Sequence, residues 1–310
     1  MALPGSLDLQ GQTFLITGAN TGIGETAAYQ LAARGARLLL ACRNHAKTAP
    51  VLAKIAHAYP AASAEFLALD LSSLASVRAC AAEFQTRSEP LSCLILNAGV
   101  GGQRGVTADG FELHFGTNHL GHYLLTRLLF DSLTPTITAT GAVAPRIVIV
   151  ASNSHKQARA LDLTKLQQTT TSYSGMPEYA VSKLCNMLFM RELNRRIAAR
   201  AGAANADNLP PIHTYALNPG RVATDVWRRI PAPFRWLFKK TMITADVGGS
   251  YIVKCAAGPA FATHSGRYYS RGAEFQPSAL ATNDALASEL WQRSAQWVGL
   301  PAAGLTWAGD

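Results

Sequence analysis

The sequence predicts an α/β protein: one doubly wound parallel sheet with helices on both faces. Three observations carry that expectation. Apolar runs of strand length (Phe14 to Thr17, Ala36 to Cys42, Arg146 to Ala151) alternate with segments of helix length, the pattern of strand–helix–strand units joined by right-handed crossovers. The first run passes straight into a glycine-rich turn, G-A-N-T-G-I-G at 18–24, that opens a helix. Finally, 310 residues with 48% apolar content can bury one substantial core, and α/β chains of this size often form a single domain. No internal repeat or low-complexity boundary divides residues 1–310.

In the first unit each glycine has a separate task. Gly18 permits the tight turn after the strand, Gly22 lets backbone N–H groups approach a pyrophosphate, and Gly24 lets the helix pack closely on the strand. Asn20, Thr21 and Ile23 share that turn. Arg43 stands at the end of the second strand. An acidic residue there would hold a ribose 2′-hydroxyl, whereas an arginine suits a 2′-phosphate through bidentate, charge-assisted bonds. Arg43 therefore points to NADP(H).

Further along, Y-A-V-S-K at 179–183 sets a phenol and an ammonium four residues apart, one turn apart on one helix face. A tyrosine titrates near ~10, and a nearby cation favours the phenolate. At ~4 Å and an effective dielectric near 20, the attraction is on the order of 4 kcal/mol, about three pKa units before desolvation opposes it. The pair can carry proton transfer. The same spacing also describes a solvated helix edge, so the neighbouring motifs decide.

In series, T-G-A-N-T-G-I-G (17–24), L-D-L-S-S (69–73), L-N-A-G (96–99), N-H-L-G (118–121), Y-A-V-S-K (179–183) and N-P-G (218–220) resemble the short-chain dehydrogenase/reductase family in order and spacing. The resemblance runs from about Gly11 to the helix holding Leu290 and Trp291. Segments 111–129 and 182–196 are similar to the branch of retinol dehydrogenases, the WW-domain oxidoreductase and light-dependent protochlorophyllide reductase. A Rossmann-type fold is implied, with a substrate lid after the sixth strand (about 225–245) and a C-terminal extension (about 270–310). The implied reaction is hydride transfer between NADP(H) and a lipophilic ketone, aldehyde or matching alcohol, as in carbonyl reductases and retinol dehydrogenases.

The resemblance also assigns residues. Ser152, after the 146–151 strand, would polarise the substrate oxygen, with Ser154 the alternative. Tyr179 would be the general acid in reduction and the base in oxidation, Lys183 would lower its pKa and bind the nicotinamide ribose, and the helix backbone at Asn118 would organise a water and the lysine. Implied cofactor contacts are Asp70 and Leu71 near the adenine, Asn97, Ala98 and Gly99 along the ribose, and Pro219, Gly220, Val222 and Thr224 near the nicotinamide amide. Aromatics interleaved with cations from Trp227 to Lys240 suit an apolar pocket wall, with Trp227 and Phe234 facing substrate, or else an interfacial segment touching anionic lipid.

Composition excludes other classes. The net charge of +9 comes from residues spread along the chain without a run of five, so nucleic acid is not an expected partner. Five cysteines are odd in number, scattered and without C-x-x-C spacing, which predicts a reducing compartment and no metal site. No basic start followed by a long apolar run opens the N-terminus, so neither signal peptide nor anchor is expected and a cytoplasmic enzyme is. A homodimer through helices at 111–133 and 179–200 is compatible with the resemblance but specified by no pattern. Two alternatives remain. Light-driven double-bond reduction suits the branch, but that subgroup carries a cysteine between its Ser and Tyr motifs, and none lies between Cys93 and Cys185. A non-catalytic NADP(H)-sensing scaffold would have no need of Asn118, Ser152, Tyr179 and Lys183 together.

Overall fold

Side chains of the first strand alternate between two cores. β1 (Thr13–Thr17) is buried throughout, sending Leu15 to one face and Phe14 and Ile16 to the other. β2 (Arg37–Cys42) does the same, with Leu39 and Ala41 opposing Leu38, Leu40 and Cys42. Such two-sided burial explains why these strands read as unbroken apolar runs. The structure, a computed structural model, describes residues 8–138, 141–202, 211–220 and 242–305.

Six further strands complete the sheet or flank it in sequence: β3 (Ser63–Ala68), β4 (Cys93–Leu96), β7 (Arg146–Val150), β8 (His213–Asn218), β9 (Arg267–Ser270) and β10 (Ala273–Glu274). Between β4 and β7 the chain forms a separate antiparallel hairpin of β5 (Thr136–Thr138) and β6 (Gly141–Val143). The eight-stranded order is β10-β9-β8-β7-β4-β1-β2-β3, parallel at every pairing except β9 with β10. Progress outward reverses between β1 and β4, so a crevice opens beyond their carboxyl ends, where α/β sheets bind ligands.

One face carries α1 (Gly22–Ala32), α2 (His45–Ala58) and α6 (Ala245–Ala257), through Ala27, Leu31, Val51, Ile55 and Ile252. The other carries α3 (Leu74–Gln85), α4 (113–129), α5 (Met176–Ala201) and α7 (Asp284–Trp297), through Phe84, Leu124, Leu188 and Trp291. Helix α4 is α-helical at Leu113–Phe115 and Gly121–Leu129, with a π-helical segment at Gly116–Leu120 between them.

Three features correct the sequence reading. The sheet is not wholly parallel, because the turn at Arg271 and Gly272, both at positive φ, folds β10 back on β9. Helix α5, Met176–Ala201, is about a turn longer than the 179–200 expected, since alanine and arginine are strong helix formers and Gly202 supplies the stop. The hairpin β5–β6 has no counterpart in the predicted elements.

Residues 284–305 cover α4 and α5, the helices named for a homodimer contact. Trp291 packs edge-on against Tyr123 and stacks on Phe189, and the buried Arg127 guanidinium donates to the carbonyls of Leu305 and Pro301.

The contact between α6 and α1 is close enough to test. A Cβ at Gly249 would sit 2.9 Å from the backbone nitrogen of Ala27 and against the Thr26 hydroxyl. Gly→Ala within a helix favours the fold by about 1 kcal/mol, but overpacking costs about 1–3 kcal/mol and backbone yields less readily than a side chain. Gly249→Ala should therefore lower stability by on the order of 1 kcal/mol in urea unfolding. A stabilised variant would show that the two helices separate freely.

Candidate active site

The end of β1 is tied to the end of β4 by one threonine. Thr17 Oγ1 accepts from the backbone N–H groups of Asn97 and Ala98, each at 2.9 Å, while Asn97 Nδ2 donates to the carbonyls of Thr17 (2.9 Å) and Gly18 (3.2 Å). Gly18 and Gly22 take φ of 67° and 64°, the left-handed region that glycine enters without penalty. A Cβ at Gly18 would lie 2.8 Å from that of Ala98, and one at Gly24 would lie 2.6 Å from the Gly18 carbonyl oxygen. These contacts bear out the tight turn at Gly18 and the close approach at Gly24. Beyond the turn, Thr21 places no side-chain bond on the first amides of α1.

Several features of this crevice fit a dinucleotide. The first turn of α1, which Thr21 leaves uncapped, suits phosphate. Asn97 Oδ1 is buried without a hydrogen-bond partner among the described residues, an acceptor of the kind a ribose hydroxyl satisfies. Arg43 is exposed directly after β2, whose end is held beside the glycine turn by a 2.8 Å bond from Gly18 N–H to the Ala41 carbonyl. Asp70 spends one carboxylate oxygen on the N–H and hydroxyl of Ser72, and the Leu71 carbonyl lies where Gly121 of α4 leaves room. On the far side, Pro219 and Gly220 follow β8, with Gly220 at φ 96°. Val222, Thr224, Trp227, Phe234 and most of the expected lid lie outside the described residues.

The four expected catalytic residues come together at the ends of β4 and β7. Ser152 follows β7 and caps a short 3-10 turn, its Oγ accepting from Ser154 N–H and donating to Ser154 Oγ, both at 3.1 Å. Tyr179 lies close enough to Ser152 for the serine hydroxyl to favour its phenolate. Lys183 Nζ is buried, donates to the Val150 carbonyl at 2.9 Å and sits 5.6 Å from the centre of the Tyr179 ring. Asn118 lies in the π-helical segment. Its side chain grips Val100 N–H (2.8 Å) and C=O (3.0 Å) and donates to Ser182 Oγ at 2.9 Å. Gly99 is small by necessity, since a Cβ there would come within 3.0 Å of Asn118 Oδ1 and 3.7 Å of Lys183 Nζ.

Electrostatics depart from the sequence expectation at one point. Tyr179 keeps partial contact with solvent, yet dense protein around it raises its phenol pKa, and the Ser152 hydroxyl opposes the rise. The anticipated downward pull from Lys183 does not decide the outcome, because the ammonium is directed to Val150 rather than to the phenol oxygen. Burial lowers Lys183 itself to about 8.

Sequence reasoning passed over the groups behind these residues. His122 Nδ1 meets the Asn118 carbonyl at 3.0 Å and its Nε2 meets Thr17 Oγ1 at 2.9 Å. His155 Nδ1 donates to the Ser152 carbonyl at 2.7 Å, and its Nε2 accepts from Ser278 N–H at 3.1 Å. Glu112 accepts from His114 Nδ1 and from the N–H groups of His114 and Phe115, and His114 packs edge-on to Tyr179. The spacings Asn118/His122 and Ser152/His155, four and three residues, were the available signals.

The family model described as short chain dehydrogenase matches residues 12–233. The chain belongs to that family. Retinol dehydrogenase 13 of Homo sapiens is 34% identical over 313 residues, covering 97% of this chain and 88% of its own length. WW domain-containing oxidoreductase of Gallus gallus is 33% identical, covering 93% of this chain and 68% of its own. Among solved structures, an uncharacterized protein from Mycobacterium Paratuberculosis superposes with a TM-score of 0.73 at 29% identity, covering 96% of each chain. This short-chain dehydrogenase is thus an oxidoreductase related to retinol dehydrogenases, in a family that works with a nicotinamide cofactor.

The buried lysine makes a stability prediction. Burial lowers its pKa from 10.5 to about 8, so the unfolded chain holds the proton more tightly. The resulting penalty is full below about pH 8 and gone above about 10.5. Lys183→Met removes it. The variant should be more stable than the parent at pH 7, by on the order of 1–3 kcal/mol, with the gap closing as pH rises from 8 to 10 in thermal melts. A variant destabilised at every pH would show that the bond to Val150 outweighs the desolvation.

Proposed function

We propose that this chain is an NADP(H)-dependent oxidoreductase acting on a lipophilic ketone or aldehyde, or on the matching alcohol. Tyr179 beside Ser152, with the buried Lys183 cation behind them, carries the reading. A bound nicotinamide dinucleotide would supply or receive the hydride. The Ser152 hydroxyl donates to the substrate oxygen as charge develops there, and Tyr179 delivers its proton to the same oxygen. Lys183 then stabilises the phenolate left behind. Burial raises the phenol pKa above its ordinary value, which favours the protonated phenol, the form a general acid needs in reduction.

NADP(H) rather than NAD(H) is supported by Arg43, whose exposed guanidinium takes part in no ion pair among the described residues. A lipophilic substrate is supported by the relatives named for retinol. Five buried, unpaired cysteines support a reducing, cytoplasmic setting, and no helix among the described residues is long and apolar enough to cross a membrane. The first experiment follows nicotinamide absorbance while the purified protein meets retinoids, steroid ketones, aromatic ketones and quinones with either cofactor.

Two substitutions test the assignment. Tyr179→Phe should fold and bind NADPH but lose about a hundred- to ten-thousandfold in turnover, the usual share of a general acid; near-normal turnover would remove Tyr179 from the chemistry. Arg43→Asp should shrink or reverse the preference for NADPH over NADH by roughly ten- to a hundredfold in kcat/KM, whereas equal use of both cofactors by the parent would defeat the NADP assignment.

A further inference from the structure

We propose that His122 is a positioning residue that couples the glycine-rich turn to Asn118, so that one neutral imidazole holds the cofactor side and the catalytic side of the crevice in register. The inference rests on the proposed reading of those two elements.

Hydrogen-bond accounting fixes the arrangement. The Asn118 carbonyl can only accept, so His122 Nδ1, 3.0 Å away, carries a proton and donates. Thr17 Oγ1 already accepts two backbone N–H groups, from Asn97 and Ala98. Both lone pairs of that hydroxyl are occupied, which leaves its own proton to give. Two acceptors are in reach: His122 Nε2 at 2.9 Å and the Ile95 carbonyl at 3.4 Å. The shorter contact wins, and His122 is the neutral Nδ1–H tautomer. A protonated ring would aim a second N–H at an oxygen with nothing left to accept it. Burial and the nearby Lys183 charge both favour the neutral ring, holding its pKa down to about 4.

Each end of this strut reaches machinery. Thr17 precedes Gly18, where the glycine turn begins, and its hydroxyl organises the amides of Asn97 and Ala98. At the other end Asn118 anchors Val100 and Ser182, and Ser182 stands next to Lys183 in α5. His122 itself is buried, 2% exposed.

The test is a double-mutant cycle with Thr17→Val and His122→Leu, read by NADPH fluorescence titration for Kd and by steady-state kinetics for kcat and KM. His122→Asn is the third variant: its amide can donate near the Nδ1 position but is too short to reach Thr17. His122→Leu should weaken NADPH binding roughly tenfold and Thr17→Val by more, because valine also frees the Asn97 and Ala98 amides; the double variant should be no weaker than Thr17→Val alone, since that change has already broken the contact with His122. His122→Asn should recover most of kcat while leaving Kd weak, a split that a general loss of structure does not produce. Circular dichroism confirms folding, and His122→Asn serves as the folded reference if leucine is not tolerated. Multiplying losses in the double variant, or parental Kd and kcat in His122→Leu, overturns the coupling. A parent protein that binds neither NADPH nor NADH overturns the proposed function, and the coupling with it, and is distinguished by its appearance before any substitution.

Discussion

A cation held away from water sets the terms for the rest of this site. Lys183 is 4% exposed, and burial lowers its pKa to about 8, with no carboxylate among the described residues offsetting it. Keeping the ammonium charged at neutral pH costs roughly 3 kcal/mol, a large part of the 5–15 kcal/mol by which a domain is usually stable. The chain tolerates this because the lysine sits where two cores meet. α5 places it at the carboxyl end of β7, where Val150 has a carbonyl to offer, and both faces of that strand are packed with aliphatic side chains. A desolvated cation with one neutral partner keeps most of its field available for a developing phenolate. A carboxylate partner would relieve the strain and spend that field.

The same constraint explains which parts of the site were legible in the sequence. Glycine at 18 and 24, the tyrosine–lysine spacing, Ser152 and Asn118 stand in short strings whose order can be read along the chain, although the contacts that require several of them reach Ala98, Val100 and Ser182. The sign of the Tyr179 shift was not legible. Its spacing from Lys183 announces an attraction, but the weight of burial against that attraction depends on α4, on the 152–158 turn and on the direction of the ammonium, none of which is written within five residues of either partner. Likewise the alternation of apolar runs revealed the sheet, whereas the reversal of β10 depends on positive φ at Arg271 and Gly272, and β5 and β6 are three residues each, too short to read as strands. The cover that residues 284–305 lay over α4 and α5 could not be read either, since it joins Arg127 to carbonyls at 301 and 305.

Two histidines share one design behind the catalytic positions. Asn118 and Ser152 each have their backbone carbonyl engaged by the Nδ1 of an imidazole a few residues on, and each imidazole uses Nε2 to accept, from Thr17 in one case and from Ser278 N–H in the other. Imidazole is the side chain that can donate at one edge and accept at the other across a rigid ring, so it fixes a distance as well as a bond. Neutrality matters as much. A lysine or arginine in the place of His122 could reach the same carbonyl, but it would set a second cation near Lys183, whose charge already disfavours a charged ring at 122, and add like-charge repulsion to the desolvation the site already bears. An amide of asparagine or glutamine would be neutral, but its donor and acceptor sit on one carbon and cannot span both neighbours. A buried, uncharged ring therefore meets all three demands, of reach, polarity and charge, beside a lysine that must stay protonated.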